Sequence, residues 1–520
     1  MDVNALALGE SAQDTWHWTI VARNSNETGE ICMLVDKCRG TGRSTIVEIC
    51  PGAHNLVYRM RWDDGIEDWA IRFPVPGKSQ FTDEKVINEV RLLKLLKKHT
   101  SIPVPHVYEY DLDESNPTTL GAYIITNWME GTKLEDVLDA KGLNDRRRMT
   151  PHGKAMLKWI YVQVAKLYLD LWALDFDAIG SPRLSQTGEI EVVSRPLTLY
   201  MNQLLRFYGI NERGLPKQSR TYASSTDFIF KMIELLHLQM IAQRNSIRDA
   251  PDGREKFTVR TMMDTIAMSF IRLSGDNYGP FKLFGDDLRP SNILVHPENL
   301  TITGVIDWEF TYSAPSSFAG SPPWWLIPYP IEVLEEIGTR RFLTAYVRRA
   351  NLFIAAVERN ERERGTNLEG DRRLSIKMRK SLENMSCWFN FACRMGSKAD
   401  ILYWKLLDPY CWGSFADTHQ ERMRRFLKVP LRRYMIIERE EFIVRKLDQV
   451  HDYNRALRRT TNMRYEIEEP LSDGTTDTND EDGESTPPIF NTNLWGKIFS
   501  SSLAELEMYR ETADYSGTFA

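Results

Sequence analysis

The sequence predicts an α+β protein of two lobes, a small antiparallel β lobe followed by a larger, mostly helical one. Three observations predict it. Three β-prone runs, TIVEIC, LVYRMRW and EDWAIRF, follow one another from residue 45, and turn-forming PGAHN and DDG separate them. From about 150 the apolar spacing becomes helical, as in AMLKWIYVQVAKLYLDLWAL. A single hairpin pattern, NILVH-PEN-LTITGVID, interrupts the helical half.

Taken in order, residues 1–44 are mixed, and NSNETGE and RGTG are loop-like. Residues 45–126 form the small lobe. Within it a helix is expected at 83–98, with Thr82 as its cap and Asp83 and Glu84 in its first turn. The prolines of IPVPHVYEYD end that helix, GAYIITNWM is another buried strand, and GTKLEDVLDA opens a further helix. Residues 127–465 form the large lobe, helical over about 150–275, 331–360, 372–395 and 417–464. Residues 466–488 include SDGTTDTNDEDGESTPP, an acidic polar linker expected to be disordered. In 489–520, NLWGKIFSSSLAELEMY has the spacing of one short amphipathic helix.

Composition limits the possible functions. In 520 residues the net charge is −6, which argues against a generally basic nucleic-acid binder. The basic runs, such as RMRRFLKVPLRRY, are interleaved with acids and suit solvated helix faces. No apolar run approaches the roughly 20 residues of a membrane span, and MDVNALALGESAQD lacks the basic start of a signal peptide. The expectation is a cytoplasmic chain that binds neither membrane nor nucleic acid. The six cysteines form no CxxC pair and suit buried thiols.

The chemistry concentrates in FGDDLRPSNILV (284–295) and GVIDWEF (304–310). Phosphoryl transfer needs phosphates held, divalent metal at the oxygens and an oriented acceptor hydroxyl. Asn292 and Asp307 stand at the two ends of the hairpin, where both can offer oxygens to one Mg²⁺. Asp287 precedes Asn292 by the spacing D-x-x-x-x-N and is the candidate base, whereas Asp286 is one residue out of step. Arg289 would place a fixed positive charge near the transferring group. On the WAIR strand, Arg72 shares a face with Ala70. Glu89 lies in the apolar stripe of the following helix, so it needs a partner, and Arg72 is the natural one. PGAHN, with Gly52 and Asn55, is the candidate loop over the phosphates, or a plain hairpin turn.

Together these residues resemble the aminoglycoside phosphotransferase/choline kinase family of the protein-kinase-like fold, in particular a large fungal-type branch. DLRPSN resembles the catalytic loop, GVIDWEF the metal-binding strand end, WAIR the third strand and Glu89 the helix glutamate. The resemblance implies ATP and Mg²⁺ as cofactors, and it places NWMEG, with Met129, at the hinge facing adenine. Two positions depart from the pattern: Gly285 stands where the family carries His, and Arg72 where it carries Lys.

APS (314–316) comes only seven residues after Asp307, which leaves no room for a protein kinase's activation segment. The expected acceptor is therefore a small molecule with a hydroxyl group. PPWWLIPYP (322–330) and Cys411-Trp412 are candidates for its pocket or for core, and Glu309 for a contact to a cationic acceptor or for a supporting or surface carboxylate. The second reading is a catalytically weak, pseudokinase-like nucleotide-binding or scaffold protein, motivated by Gly285 and Arg72. The sequence names no protein partner.

Overall fold

A computed structural model describes residues 3–112, 118–143, 150–365, 370–413 and 433–467. The small lobe is built on a five-stranded antiparallel sheet of order β1-β2-β3-β5-β4. Its strands are β1 (Ser44–Pro51), β2 (Asn55–Trp62), β3 (Trp69–Pro74), β4 (Val107–Asp111) and β5 (Tyr123–Asn127). Alternation along β2 buries Leu56, Tyr58, Met60 and Trp62 on one face. On β3, Trp69, Ile71 and Phe73 join them.

Two helices cover that face. Residues 1–44, read as mixed with loop-like NSNETGE and RGTG, form α1 (Ala5–Glu27) and α2 (Glu30–Arg39). Gly29 and Gly40, at φ 75° and 77°, mark the turns that bound α2. Trp18, Ala22, Ile31, Leu34 and Val35 pack on the sheet. Without them seven large apolar side chains of β2 and β3 would face water, which supplies the physical reason for the helices. The amino-terminal end of α1 reaches the large lobe, where Asn4 N–H donates to Phe207 O (2.8 Å) and Ala5 N–H to Tyr453 Oη (2.9 Å).

The opposite face carries α3 (Thr82–His99). Thr82 does not cap it: Phe81, at φ 57°, precedes the first turn and its carbonyl accepts from Lys85 N–H (2.9 Å). Acids at the start and Lys97, Lys98 and His99 at the end complement the helix dipole. Val86 and Val90 meet Ala122 and Ile124 of β5, while Leu92, Leu93, Leu95 and Leu96 enter the large-lobe core.

The large lobe opens with β6 (Thr132–Lys133), α4 (Leu134–Ala140) and α5 (Pro151–Trp172). The expected helical stretch 150–275 is broken by β7 (Asp175–Phe176) and by the hairpin β8 (Ser181–Leu184) and β9 (Ile190–Ser194) before α6 (Leu199–Tyr208), α7 (Ser225–Ala242) and α8 (Ala250–Ser274). Pro182 and Gly188 punctuate this hairpin. Next come β10 (Phe281–Gly285), β11 (Ile293–Val295), β12 (Ile302–Val305) and β13 (Thr311–Ala314). β11 and β12 pair antiparallel, as the hairpin pattern predicts, and β6 adds a third strand. The longer helices Thr339–Glu363, Leu374–Glu383, Ser386–Arg394 and Arg433–Ile467 complete the lobe.

Of the predicted helix 417–464, residues 417–432 lie outside the described residues, as do the linker from 468 and the segment 489–520. All six cysteines are free, but only Cys387 and Cys393 are buried; the other four are half-buried, a correction to the expectation. No described helix is long and apolar enough to cross a membrane.

Candidate active site

The β11–β12 hairpin brings the two ends of the candidate site together. Ile293 faces Val305, and Ile306 N–H donates to Asn292 O at 2.9 Å. Asn292 Nδ2 donates to Asp287 O (2.9 Å), and its Oδ1 accepts from Ser291 Oγ (3.4 Å). Asp307 sits at φ 64°, a left-handed conformation that a non-glycine residue adopts at a cost. Its Oδ1 is buried and takes no hydrogen bond, and Arg72 Nη1 stands 3.7 Å away. An orphaned buried carboxylate oxygen beside Asn292 fits a hard cation. Among the described residues no cluster of three His, Cys, Asp or Glu side chains is arranged to hold a metal. A divalent ion here would therefore depend on Asn292, Asp307, water and phosphate oxygens, the mixed set that Mg²⁺ favours.

Burial, then the charge of Glu309, pushes the Asp307 carboxyl well above its ordinary range, and Arg72 opposes the shift. A bound cation would reverse that shift. Asp287 is also pushed up by burial, against the pull of Arg289 and His54. Arg289 Nε lies 3.1 Å from Asp287 Oδ1, so it leans on the candidate base itself.

Arg72 and Glu89 form the predicted ion pair, and Glu89 is 4% exposed. Burial disfavours the Arg72 guanidinium, but Glu89 and Asp307 outweigh it and keep it charged. Glu89 Oε1 also accepts from Trp308 N–H (3.2 Å), tying α3 to the segment that carries Asp307.

Of the places open to Glu309 in the sequence, the structure gives the supporting one and not the surface one. It is buried, with Oε2 2.9 Å from Lys85 Nζ and accepting from Asn55 Nδ2 (3.1 Å), and Oε1 3.3 Å from His54 Nδ1. Burial alone would raise its pKa; Lys85 and His54 overcome this and hold it below the carboxylate range. Asn55 is thus engaged with Glu309 rather than aimed at a phosphate. Gly52 N–H donates to Asn55 O (2.7 Å), and a Cβ on Gly52 would stand 3.0 Å from that oxygen, so PGAHN is a tight turn. Lys85 and His54 escaped sequence reading. Lys85 lies one helical turn before Glu89 on the same face, and that spacing was the available signal.

Met129 lies between the lobes. A Cβ on Gly304 would be 2.8 Å from Met129 Cε, which places the 127–131 run against β12. Trp128 N–H donates to Asp68 O (2.8 Å), and Thr303 Oγ1 donates to Glu130 O (2.6 Å).

The loop's missing histidine has a local cause and a substitute. A Cβ on Gly285 would be 2.9 Å from Leu288 Cβ, so no larger residue fits this turn without movement. Asp286, out of step as a base and weighed in the sequence only as a partial replacement for the missing histidine, is 3% exposed and braces the loop. Its N–H donates to Phe310 O (2.9 Å), its Oδ2 accepts from Leu199 N–H (3.1 Å), and its Oδ1 pairs with Arg394. Register links the same strands: Gly285 faces Thr311 and Phe284 faces Tyr312.

Beside the loop lies a cavity of about 470 Å³ whose wall includes Arg289, Pro290, Trp324, Trp325, Ile327 and Tyr329. PPWWLIPYP therefore lines a pocket at the site. Cys411 and Trp412 do not line it, and Trp412 Nε1 bonds Tyr403 Oη (3.3 Å).

No known family profile matches the chain. It is similar to a clavilactone A biosynthesis cluster protein of Ampulloclitocybe clavipes, 24% identical over 283 residues, 52% of this chain and 62% of that relative. Among solved structures it is similar to an ethanolamine kinase of Plasmodium vivax (14% identity, 79% of this chain and 82% of that one, TM-score 0.35). It is also similar to an aminoglycoside-3'-phosphotransferase of type VIII (14% identity, 68% and 98%, TM-score 0.31). At such scores the overlays carry no weight by themselves, and the fold rests on the strand order, the Arg72–Glu89 pair and the hairpin that joins Asn292 to Asp307. The chain has a two-lobed α+β fold, a small antiparallel β lobe and a larger mostly helical one, which is the architecture expected from its resemblance to the aminoglycoside phosphotransferase and choline kinase family.

Proposed function

We propose that this protein transfers the γ-phosphoryl group of ATP to a hydroxyl of a small molecule. The observation that carries the reading is the convergence of Asp287, Asn292, Asp307 and the Arg72–Glu89 pair on one cleft. The hydroxyl oxygen attacks the γ-phosphorus, the bond to the β-phosphate oxygen breaks, and ADP leaves with that electron pair. The hydroxyl proton passes toward Asp287, giving a phosphate ester, ADP and a proton. Asp287 orients the hydroxyl, and Arg72, held by Glu89, sets a fixed cation toward the donor phosphates. Bound Mg²⁺, on Asn292 and Asp307, would neutralise phosphate charge as it develops. The relative from Ampulloclitocybe clavipes is named for a biosynthetic cluster, which accords with a small-molecule acceptor.

Asp287→Ala is expected to lower transfer by about 10²–10⁴-fold, the contribution of a positioned base. Nucleotide binding, followed as an ATP–Mg²⁺ thermal shift, should persist. A fully active variant would sink the assignment. The rival binding-only reading draws on Gly285, but the Asp286–Arg394 brace supplies the rigidity that position lacks. Absence of any metal-dependent stabilisation by ATP would favour that rival, since a ligand of the native state must stabilise it.

A further inference from the structure

Helix α1 belongs to both lobes. At about 1.5 Å per residue its 23 residues span roughly 34 Å. Its carboxy-terminal half packs in the small lobe: Trp18 and Ala22 join the sheet cluster, and Trp18 Nε1 donates to Leu120 O (2.9 Å). Its amino-terminal end joins a separate apolar cluster, in which Ala5, with Leu6 beside it, meets Tyr453 and Leu457 of the helix Arg433–Ile467. Besides the backbone bonds of Asn4 and Ala5 to Phe207 and Tyr453, Asn4 Nδ2 donates to Tyr208 O (3.3 Å) and Asn245 Nδ2 to Val3 O (2.9 Å). Gly209 makes the approach close: a Cβ there would stand 2.9 Å from Asn4 Nδ2 and 3.0 Å from Ala7 Cβ. Midway along α1, Thr15 Oγ1 donates to Pro76 O (2.8 Å). The buried Asn202 of α6 reaches the same loop, where its Oδ1 accepts from Gln80 N–H (2.8 Å).

We propose that α1 is a releasable strap between the lobes, and that its amino-terminal turn lets go when the cleft opens. The chain itself crosses between the lobes at 127–131, and α1 adds a non-covalent crossing. A rotation of the small lobe about 127–131 displaces Pro76 and Leu120 relative to Phe207 and Tyr453. A helix bonded to both sets must then leave one of them. The two ends differ in what they would expose. Release from the sheet would uncover the Trp18 ring and the strands beneath it, a large apolar area. Release from the large lobe would uncover only Ala5, Leu6 and the Tyr453–Leu457 patch. The N–H groups freed there lie at the helix start, where water can satisfy them. The amino-terminal end is therefore the one that yields. This device is a property of the fold and goes beyond the phosphotransfer reading, which supplies only a ligand for the cleft.

Amide hydrogen exchange on the full chain tests the strap, with two cross-lobe amides as reporters: Gln80 N–H on Asn202 Oδ1, and Trp308 N–H on Glu89 Oε1. Tyr453→Phe removes the acceptor of Ala5 N–H and keeps the ring. Asn4→Ala, a second variant, removes the bond to Tyr208 O and the side-chain cap of α1. Each should speed exchange at both reporters about fivefold, the effect of one ordinary hydrogen bond, while β2 and β3 keep their protection. Reporters that accelerate in neither variant overturn the inference, because the contacts of α1 would then act only locally. Acceleration of β2 and β3 along with the reporters overturns it equally, because α1 would then serve overall stability and not the cleft. Millimolar ADP–Mg²⁺ should slow both reporters in the unaltered protein. If the variants accelerate them as stated but ADP–Mg²⁺ changes nothing, the strap stands and the phosphotransfer reading falls.

Discussion

Two ion-pair regions hold the candidate site, and they are built differently. The clasp joins lobes: from α3, Lys85 reaches Glu309 and Glu89 reaches Arg72 and Trp308 N–H, while Arg72 faces Asp307. The brace lies inside the large lobe, where Asp286 pairs with Arg394 beneath the candidate loop. The clasp is redundant, because Glu309 also has His54 and Asn55. The brace has a single cation, with Asp286 and Arg394 side chains 2% and 7% exposed. The helix that carries the clasp is itself fixed to the large lobe, through Glu84 with Arg195 (2.6 and 3.1 Å) and Lys98 Nζ with Gly188 O (2.9 Å). The segment around Asp307 is therefore held from several directions, whereas the charge of Asp286, beneath the candidate loop, is met by one cation.

The largest effect should come from breaking the brace. Arg394→Met leaves Asp286 buried without its counter-charge and should cost about 3–5 kcal/mol in urea unfolding. Adding Asp286→Asn should restore much of that loss, and a cost under about 1 kcal/mol for the single variant would show that the loop is held otherwise. Breaking the clasp should cost less: Lys85→Met leaves Glu309 two partners, and about 1–3 kcal/mol is expected. A loss as large as that of Arg394→Met would make the redundancy illusory.

Gly77→Ala probes how α1 contributes to the clasp side. At φ 78° the new Cβ is strained and would lie 1.9 Å from Ser11 O on α1. Roughly 1–3 kcal/mol should be lost, together with faster proteolysis near α1; unchanged protection would separate that helix from small-lobe stability.

The smallest effect is a pH shift. Burial raises the Asp287 pKa and Arg289 lowers it. A base must be ionised, so activity should fall as pH drops through that raised value. Arg289→Gln removes a lowering cause and should move the acidic limb to higher pH, by less than roughly one unit because Arg289 is about a third exposed (35%). A limb that moves to lower pH would contradict the assignment of Asp287 as the group that titrates.

Local pattern made part of this legible. Strand alternation put Arg72 on the face opposite Ile71, and the helical stripe put Glu89 inward, so their pairing followed from two periodicities and the cost of a lone buried charge. The hairpin likewise implied that Asn292 and Asp307 are neighbours. The N-terminal helices were missed because NSNETGE and RGTG read as loops. The clue lay elsewhere, in an apolar sheet face that needed a cover. The bracing role of Asp286 was only the weaker reading because its partner is 108 residues away, and nothing in FGDDLRPSN points to Arg394.

By itself, then, the sequence determined the two lobes, the catalytic-loop register that favours Asp287 over Asp286, the hairpin and the need for a partner at Glu89. These follow from periodicity, turn chemistry and spacing, all of which act over a few residues. Only the tertiary structure decided that Asp286 meets Arg394, that Glu309 is buried against Lys85 and the PGAHN turn, and that PPWWLIPYP lines a cavity beside the loop. Those outcomes depend on which distant surfaces pack together, and burial decides whether a charge must find a partner or remains in water.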